Sequence, residues 1–162
     1  MKQNLLINGD FSAGNFDGWS VKSEYVSLVD SNALANPEGF RYFALLRPAP
    51  SVAGSLLQQE IIIGPGEYTL KFAYARAFIE GMNPAQLGIV GLTYWVDGVF
   101  PGSILVVFHP GDSLKYEEET FVIPDLGPAI NLLISLNGIS NDRRENPNAG
   151  PILLTDVSVV RQ

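Results

Sequence analysis

The sequence predicts an all-β fold: an antiparallel sandwich of two sheets, about ten strands, occupying residues 1–162 as one domain. Three observations predict it. Gly (16) and Pro (11) are spread along all 162 residues, about one position in six, which suits many turns and opposes a helical bundle. Strand-like runs recur at roughly ten-residue spacing between turn clusters. Within several runs, apolar residues alternate with period two, the signature of a half-buried strand.

In chain order, Leu5–Ile7 reads as a short opening strand, stopped by Asn8-Gly9-Asp10. Residues 8–19 are punctuated by Gly9, Gly14 and Gly18, which no helix holds. Their aromatics Phe11, Phe16 and Trp19 read as a plug at one end of a core, with Trp19 structural. Strands follow at Ser20–Val21, Tyr25–Val29 and Phe40–Arg47, the last entered through the turn Asn36-Pro37-Glu38-Gly39. Residues 56–63 lead into Gly64-Pro65-Gly66, a strong turn signal. In Glu67–Arg76, Tyr68, Leu70, Phe72 and Tyr74 fall on one side and Thr69, Lys71, Ala73 and Ala75 on the other. Leu87–Val96 ends at Asp97-Gly98; Leu92, Tyr94 and Val96 read as core-facing, Thr93 and Trp95 as outward. Ile104–Phe108, Glu118–Ile123 and Ile130–Leu136 continue the pattern, and Pro151–Val160 closes it, with Leu153, Thr155, Val157 and Val159 on one side. Short stretches near Asn32–Asn36 and Phe78–Gln86 tolerate helix.

Composition excludes several functions. The net charge of −7 and pI near 4.5 oppose binding to nucleic acid or anionic lipid, both of which need a basic face. With no cysteine there is no disulfide, thiolate nucleophile or thiolate-held metal. The single histidine, His109, stands before the turn Pro110-Gly111-Asp112 and reads as a turn residue. No apolar run approaches membrane-span length. The start lacks a signal-peptide pattern, because its apolar stretch is short and a turn follows at once; the chain is then cytoplasmic, exported by another route, or a trimmed piece. No nucleophile elbow, phosphate loop, dinucleotide fingerprint or zinc-protease motif occurs, so the expectation is a protein that is not an enzyme.

The motif Asn4-Leu5-Leu6-Ile7-Asn8-Gly9-Asp10-Phe11, followed by Gly14 and Gly18-Trp19, resembles the opening of a carbohydrate-binding-module family of xylan- and glucan-binding type, with a galactose-binding-domain-like jelly roll. Leu57-x-Gln59, Ile61, Ile63, Pro65-Gly66-x-Tyr68-Thr69-Leu70-x-Phe72, Val96-Asp97-Gly98 and Leu154-Thr155-Asp156-Val157-Ser158-Val159 extend the resemblance in order along the chain. It implies a jelly-roll fold and binding of a poly- or oligosaccharide. It also implies a structural calcium, but Ser12 and Thr155 stand where the family commonly has acidic residues. Asp10, Asp156 and carbonyls near Asn8 remain as ligands, and no cofactor is otherwise required.

The outward set supplies the site. Trp95 reads as a platform for a sugar ring, with Thr93, Lys71, Gln58 and Asn131 as polar partners and Tyr74 and Arg76 at the end of their strand as further lining; the alternative for Tyr74, and the favoured one, is a core position with its hydroxyl satisfied at the rim. Glu117-Glu118-Glu119 reads as a solvated edge, and residues 141–150, with Arg143 and Arg144, as a polar connection. The rival function is a structural or interaction module, such as a surface, coat, inclusion-body or toxin-associated protein. Phe78, Ile79 and Met82 in the connection 77–86 would then mediate homo-oligomerisation or hold a protein partner.

Overall fold

Period-two alternation forces each strand to bury one side, and in this computed structural model two sheets bury those sides against each other. The structure describes residues 2–30, 39–50, 54–96, 99–125, 130–138 and 150–162. Asn32–Asn36, most of the turn 36–39, Asp97-Gly98, Arg143 and Arg144 lie outside them. The strands are β1 (Ser20–Val21), β2 (Val26–Asp30), β3 (Tyr42–Leu46), β4 (Leu57–Ile63), β5 (Gly66–Arg76), β6 (Gly88–Val96), β7 (Val99–Phe108), β8 (Lys115–Ile123), β9 (Ile130–Gly138) and β10 (Ile152–Arg161). The first sheet runs β1-β4-β9-β6-β7 and the second β2-β3-β10-β5-β8; the neighbours pair antiparallel throughout.

The inner faces interdigitate. Leu132, Ile134 and Leu136 of β9 and Val90 and Leu92 of β6 meet Leu70 and Phe72 of β5 and Val157 and Val159 of β10, all fully buried. Each such side chain contributes about 1.5–3 kcal/mol relative to exposure. Phe108 packs edge-on against Phe72 at 5.2 Å and tilts against Tyr74 at 4.6 Å, filling one end of the layer. At the opposite end, the fully buried Phe11 contacts Phe16 at 5.5 Å and Trp19 at 5.8 Å, while the indole N–H of Trp19 donates to Asn8 O at 3.1 Å. These three aromatics form the plug that their spacing suggested.

Two expectations change. Leu5–Ile7 is not a strand: Leu5 N donates to Val159 O at 2.9 Å, and side-chain amides take the other bonds of its backbone. Gln59 Oε1 accepts from Ile7 N at 2.8 Å and its Nε2 donates to Ile7 O at 3.0 Å. Asn4 Nδ2 donates to Val157 O at 3.1 Å, and its Oδ1 accepts from Leu6 N and Val159 N, each at 3.0 Å. Gln59 belongs to the first sheet and Val157 and Val159 to the second, so the segment ties the two layers together at their rim. Gly9 lies so close to the Val157 carbonyl that any side chain there would collide with it.

The second change is in β10. Its register slips between Thr155 and Ser158, and Asp156 has φ 51°. This bulge reverses the alternation. Ile152 and Leu154 point inward before it and Val157 and Val159 after it, so Leu153 and Thr155 do not share a side with the two valines. Residues 78–86 form turns and irregular backbone without helix.

Replacing Gln59 by Leu keeps the volume but leaves the Ile7 N–H and C=O without partners. The expected result is a loss of about 1–3 kcal/mol in urea unfolding with an unchanged m-value.

Candidate functional site

The outer face of the first sheet carries the candidate site, and strand pairing lays it out in rows. Ile62, Asn131 and Trp95 form one row across β4, β9 and β6. Glu60, Leu133, Thr93 and Ser103 form the next, continuing onto β7. Gln58, Ser135, Gly91 and Leu105 form the third. The sidedness follows from Val90 and Leu92, which are wholly buried, so the alternate residues Gly91, Thr93 and Trp95 face away from the core. Tyr94 packs on the core side, and the β6–β9 pairing runs without a break to Trp95.

Trp95, Thr93, Gln58 and Asn131 are half-buried, while Ile62 and Leu105 are 74% and 67% exposed. Such heavy exposure of aliphatic side chains beside an indole makes the face amphipathic. Gly91 leaves a dip between Leu105 and Ser135, whose atoms would stand 3.6 and 3.8 Å from any Cβ there. Beyond Gln58, a recess of about 380 Å³ is lined by Ser20, Lys22, Gly54 and Ser55. Ser55 Oγ donates to Ser135 Oγ at 3.1 Å, which holds this wall against the sheet. Chemically the face offers one aromatic plane, aliphatic flanks, two carboxamides, hydroxyls and the Glu60 carboxylate. That combination stacks on a ring's C–H face while exchanging hydrogen bonds with its hydroxyls.

No protein-family model and no curated protein matches this chain. Solved structures do match it along its length. TmCBM61 in complex with beta-1,4-galactotriose superposes with a TM-score of 0.63 at 17% identity, covering 99% of both chains. The CBM22-2 xylan-binding domain from Paenibacillus barcinonensis Xyn10C gives 0.61 at 11% identity, over 95% of this chain and 98% of that one. The enzymatically active domain of bacteriophage CBA120 tailspike protein 4 gives 0.65 at 16% identity, and there this chain spans 21% of the matched protein's length. The chain has a carbohydrate-binding-module jelly-roll fold.

Within this jelly roll, three of the seven residues expected at the site fall elsewhere. Lys71 lies on the outer face of the second sheet, its Nζ 4.7 Å over the Tyr116 ring and its strand position opposite Glu118. Two facing sheets stand about 10 Å apart, so Lys71 does not partner Trp95. Tyr74 is in the core, 5% exposed, its hydroxyl donating to Glu117 Oε2 at 3.3 Å. Arg76, at the end of β5, donates from Nη2 to Pro110 O at 3.0 Å. The outward alternation of Lys71 was legible, but alternation does not say which sheet a strand joins. The same ambiguity hid Leu133, Ser103 and Leu105, which strand pairing alone brings beside Thr93 and Gly91.

The jelly-roll likeness brings the expectation of calcium with it. Ca²⁺ takes six to eight oxygens. Asp10 Oδ1 instead accepts from Ser12 N at 3.0 Å, and the Thr155 hydroxyl bonds Tyr42 O at 2.9 Å and Asp10 O at 3.4 Å. Among the described residues, no three acidic or imidazole side chains gather as a metal site. The Thr155 hydroxyl, standing where the resemblance has an acidic residue, joins carbonyls of the opening loop and β3. His109 is exposed, its Nδ1 3.3 Å from Gln86 O, as befits a turn residue. Glu117–Glu119 lie on β8, the edge strand of the second sheet, with Glu118 and Glu119 exposed.

Two outcomes are expected. Thr155→Val lowers stability by about 1–3 kcal/mol in urea unfolding, whereas calcium and EDTA leave the wild-type Tm unchanged. Burial, then the charge and hydrogen bond of Glu117, raise the Tyr74 pKa above the usual phenol value. The unfolded chain then releases that proton first, so the stabilisation is complete below roughly pH 10 and is lost as pH rises through the folded value. Across that range, the urea midpoint of the wild type falls more steeply than that of Tyr74→Phe.

Proposed function

We propose that this chain is a non-catalytic carbohydrate-binding module that holds a glycan along the outer face of its first sheet. Trp95 serves as the platform, with Asn131, Thr93 and Gln58 as hydrogen-bonding partners. One observation carries the reading: the pairing Trp95–Asn131, next to Thr93, sets an outward indole beside polar groups on a rigid sheet. Pyranose rings present apolar C–H faces edged by hydroxyls, and this face alternates apolar and polar groups at strand spacing. Two structural neighbours, one in complex with beta-1,4-galactotriose and one described as xylan-binding, support the same ligand class.

The composition of the face supports binding without hydrolysis. Hydrolysis of a glycosidic bond generally uses two carboxylates flanking it. On the described strand positions of this face, Glu60 is the one acidic side chain.

Affinity electrophoresis in gels containing xylan, galactan or β-glucan tests the proposal. The wild type is retarded by at least one of these, and Trp95→Ala loses that retardation with roughly tenfold weaker binding, while its thermal unfolding stays close to wild type. Equal retardation of the two proteins, or none in any gel, would overturn it.

A further inference from the structure

A larger cleft, about 650 Å³, lies on the opposite side of the molecule, over the outer face of the second sheet. That volume is in the range of small-ligand sites, roughly 300–1,000 Å³. Strand pairing builds its floor: Leu153 of β10 sits beside Leu45 of β3, and Val29 of β2 beside Phe43 of β3. The β10 bulge contributes here too, because it leaves Leu153 outward while the later valines of the strand point inward. One wall is the connection after β5, with Phe78, Met82 and Pro84. Phe78 is 90% exposed, an unusual position for a phenyl ring that lines a concavity.

The polar groups of the cleft decide what it suits. At one end the Arg76 Nε stands 3.5 Å from Asp112 Oδ1, is itself buried, and has no hydrogen-bond partner. The Asp112 side chain is 93% exposed and so is free to turn toward a ligand. Asp30, also lining the cleft, is 3.7 Å from Arg41. An anionic ligand would meet Asp30 and Asp112 against a single lining guanidinium. A cation would meet Arg76 and two carboxylates already paired with arginines, Asp30 with Arg41 and Asp112 with Arg76. A wholly apolar ligand would cover the polar end of the cleft, the part-exposed Arg76 guanidinium and Asp112, without supplying hydrogen-bond partners. A neutral ring bearing adjacent hydroxyls satisfies all three conditions. One hydroxyl accepts from the guanidinium, its neighbour donates to the Asp112 carboxylate, and the C–H face lies on Phe78 and the aliphatic floor.

We infer that this cleft is a second binding site for a neutral sugar unit, independent of the Trp95 face. The inference goes beyond the proposed function: it shares none of that site's residues and stands or falls separately. Two sites on opposite faces make the module bivalent, so one copy can bridge two glycan chains and gain avidity on a dense polysaccharide.

Backbone-amide NMR titration tests it, using glucose, galactose, xylose and mannose at high concentration. The expected result is saturable shifts of the amides of Ala77, Phe78, Met82 and Asp112 with at least one of the four sugars. Phe78→Ala and Asp112→Ala, both at exposed positions, each weaken that response roughly tenfold. Trp95→Ala leaves it unchanged, even where the same variant abolishes gel retardation or where no retardation existed. Absence of cleft shifts with all four sugars overturns the inference, as do shifts indifferent to both cleft variants. So do cleft shifts that follow protein concentration instead of sugar, which would assign the surface to a second copy of the chain.

Discussion

The structure depends on one constraint: a strand has two sides, and a two-layer sandwich buries only one of them. Burying Leu70 and Phe72 of β5 against Leu132 and Ile134 of β9 commits every other residue on those strands to an outer face. The core therefore dictates what the surface presents. Trp95 faces outward because Val90 and Leu92 are wholly buried. Leu153 faces outward because Ile152 and Leu154 are. A shift of one residue in either strand would exchange the two sides completely.

Packing alone does not hold two sheets in register at their ends, where strands stop and backbone groups lose partners. Here the opening segment makes that closure with side chains. Gln59 receives both polar groups of Ile7 from the first sheet, and Asn4 engages Val157 and Val159 on the second. Thr155 adds a hydroxyl link to Tyr42 and Asp10. These are neutral hydrogen bonds between partly buried groups, each worth about 0.5–1.5 kcal/mol net but more when broken one-sidedly.

The outer faces divide the chemistry between them. The first sheet presents a shallow surface with an indole, aliphatic flanks and carboxamides, suited to lying along an extended chain. The second presents a deeper apolar cleft with an ion pair at its end. Its other half carries Lys71 over Tyr116 and the acidic edge strand β8. Charges along an exposed edge oppose addition of another strand, which keeps association away from backbone pairing.

The sequence by itself determined the class of fold, all ten of the described strand positions to within a few residues at nearly every end, the aromatic plug of Phe11, Phe16 and Trp19, and the outward turn of Trp95. All are local consequences of period-two alternation and of where glycine and proline stop a strand. The change of sidedness within β10 was beyond that logic, because the bulge at Asp156 inserts one residue that alternation counts as ordinary. The opening segment also misled: Leu5–Ile7 has strand composition, but its backbone bonds go to the Asn4 and Gln59 amides and to one carbonyl of β10 in place of a strand ladder. Only the tertiary structure decided which outward residues meet. It paired Asn131 with Trp95, put Thr93 and Gln58 on the same face, sent Lys71 and Arg76 to the other sheet, and raised a cleft over Leu153. Pairing between strands is set by contacts across the whole chain, and no local pattern encodes which edge a strand will join.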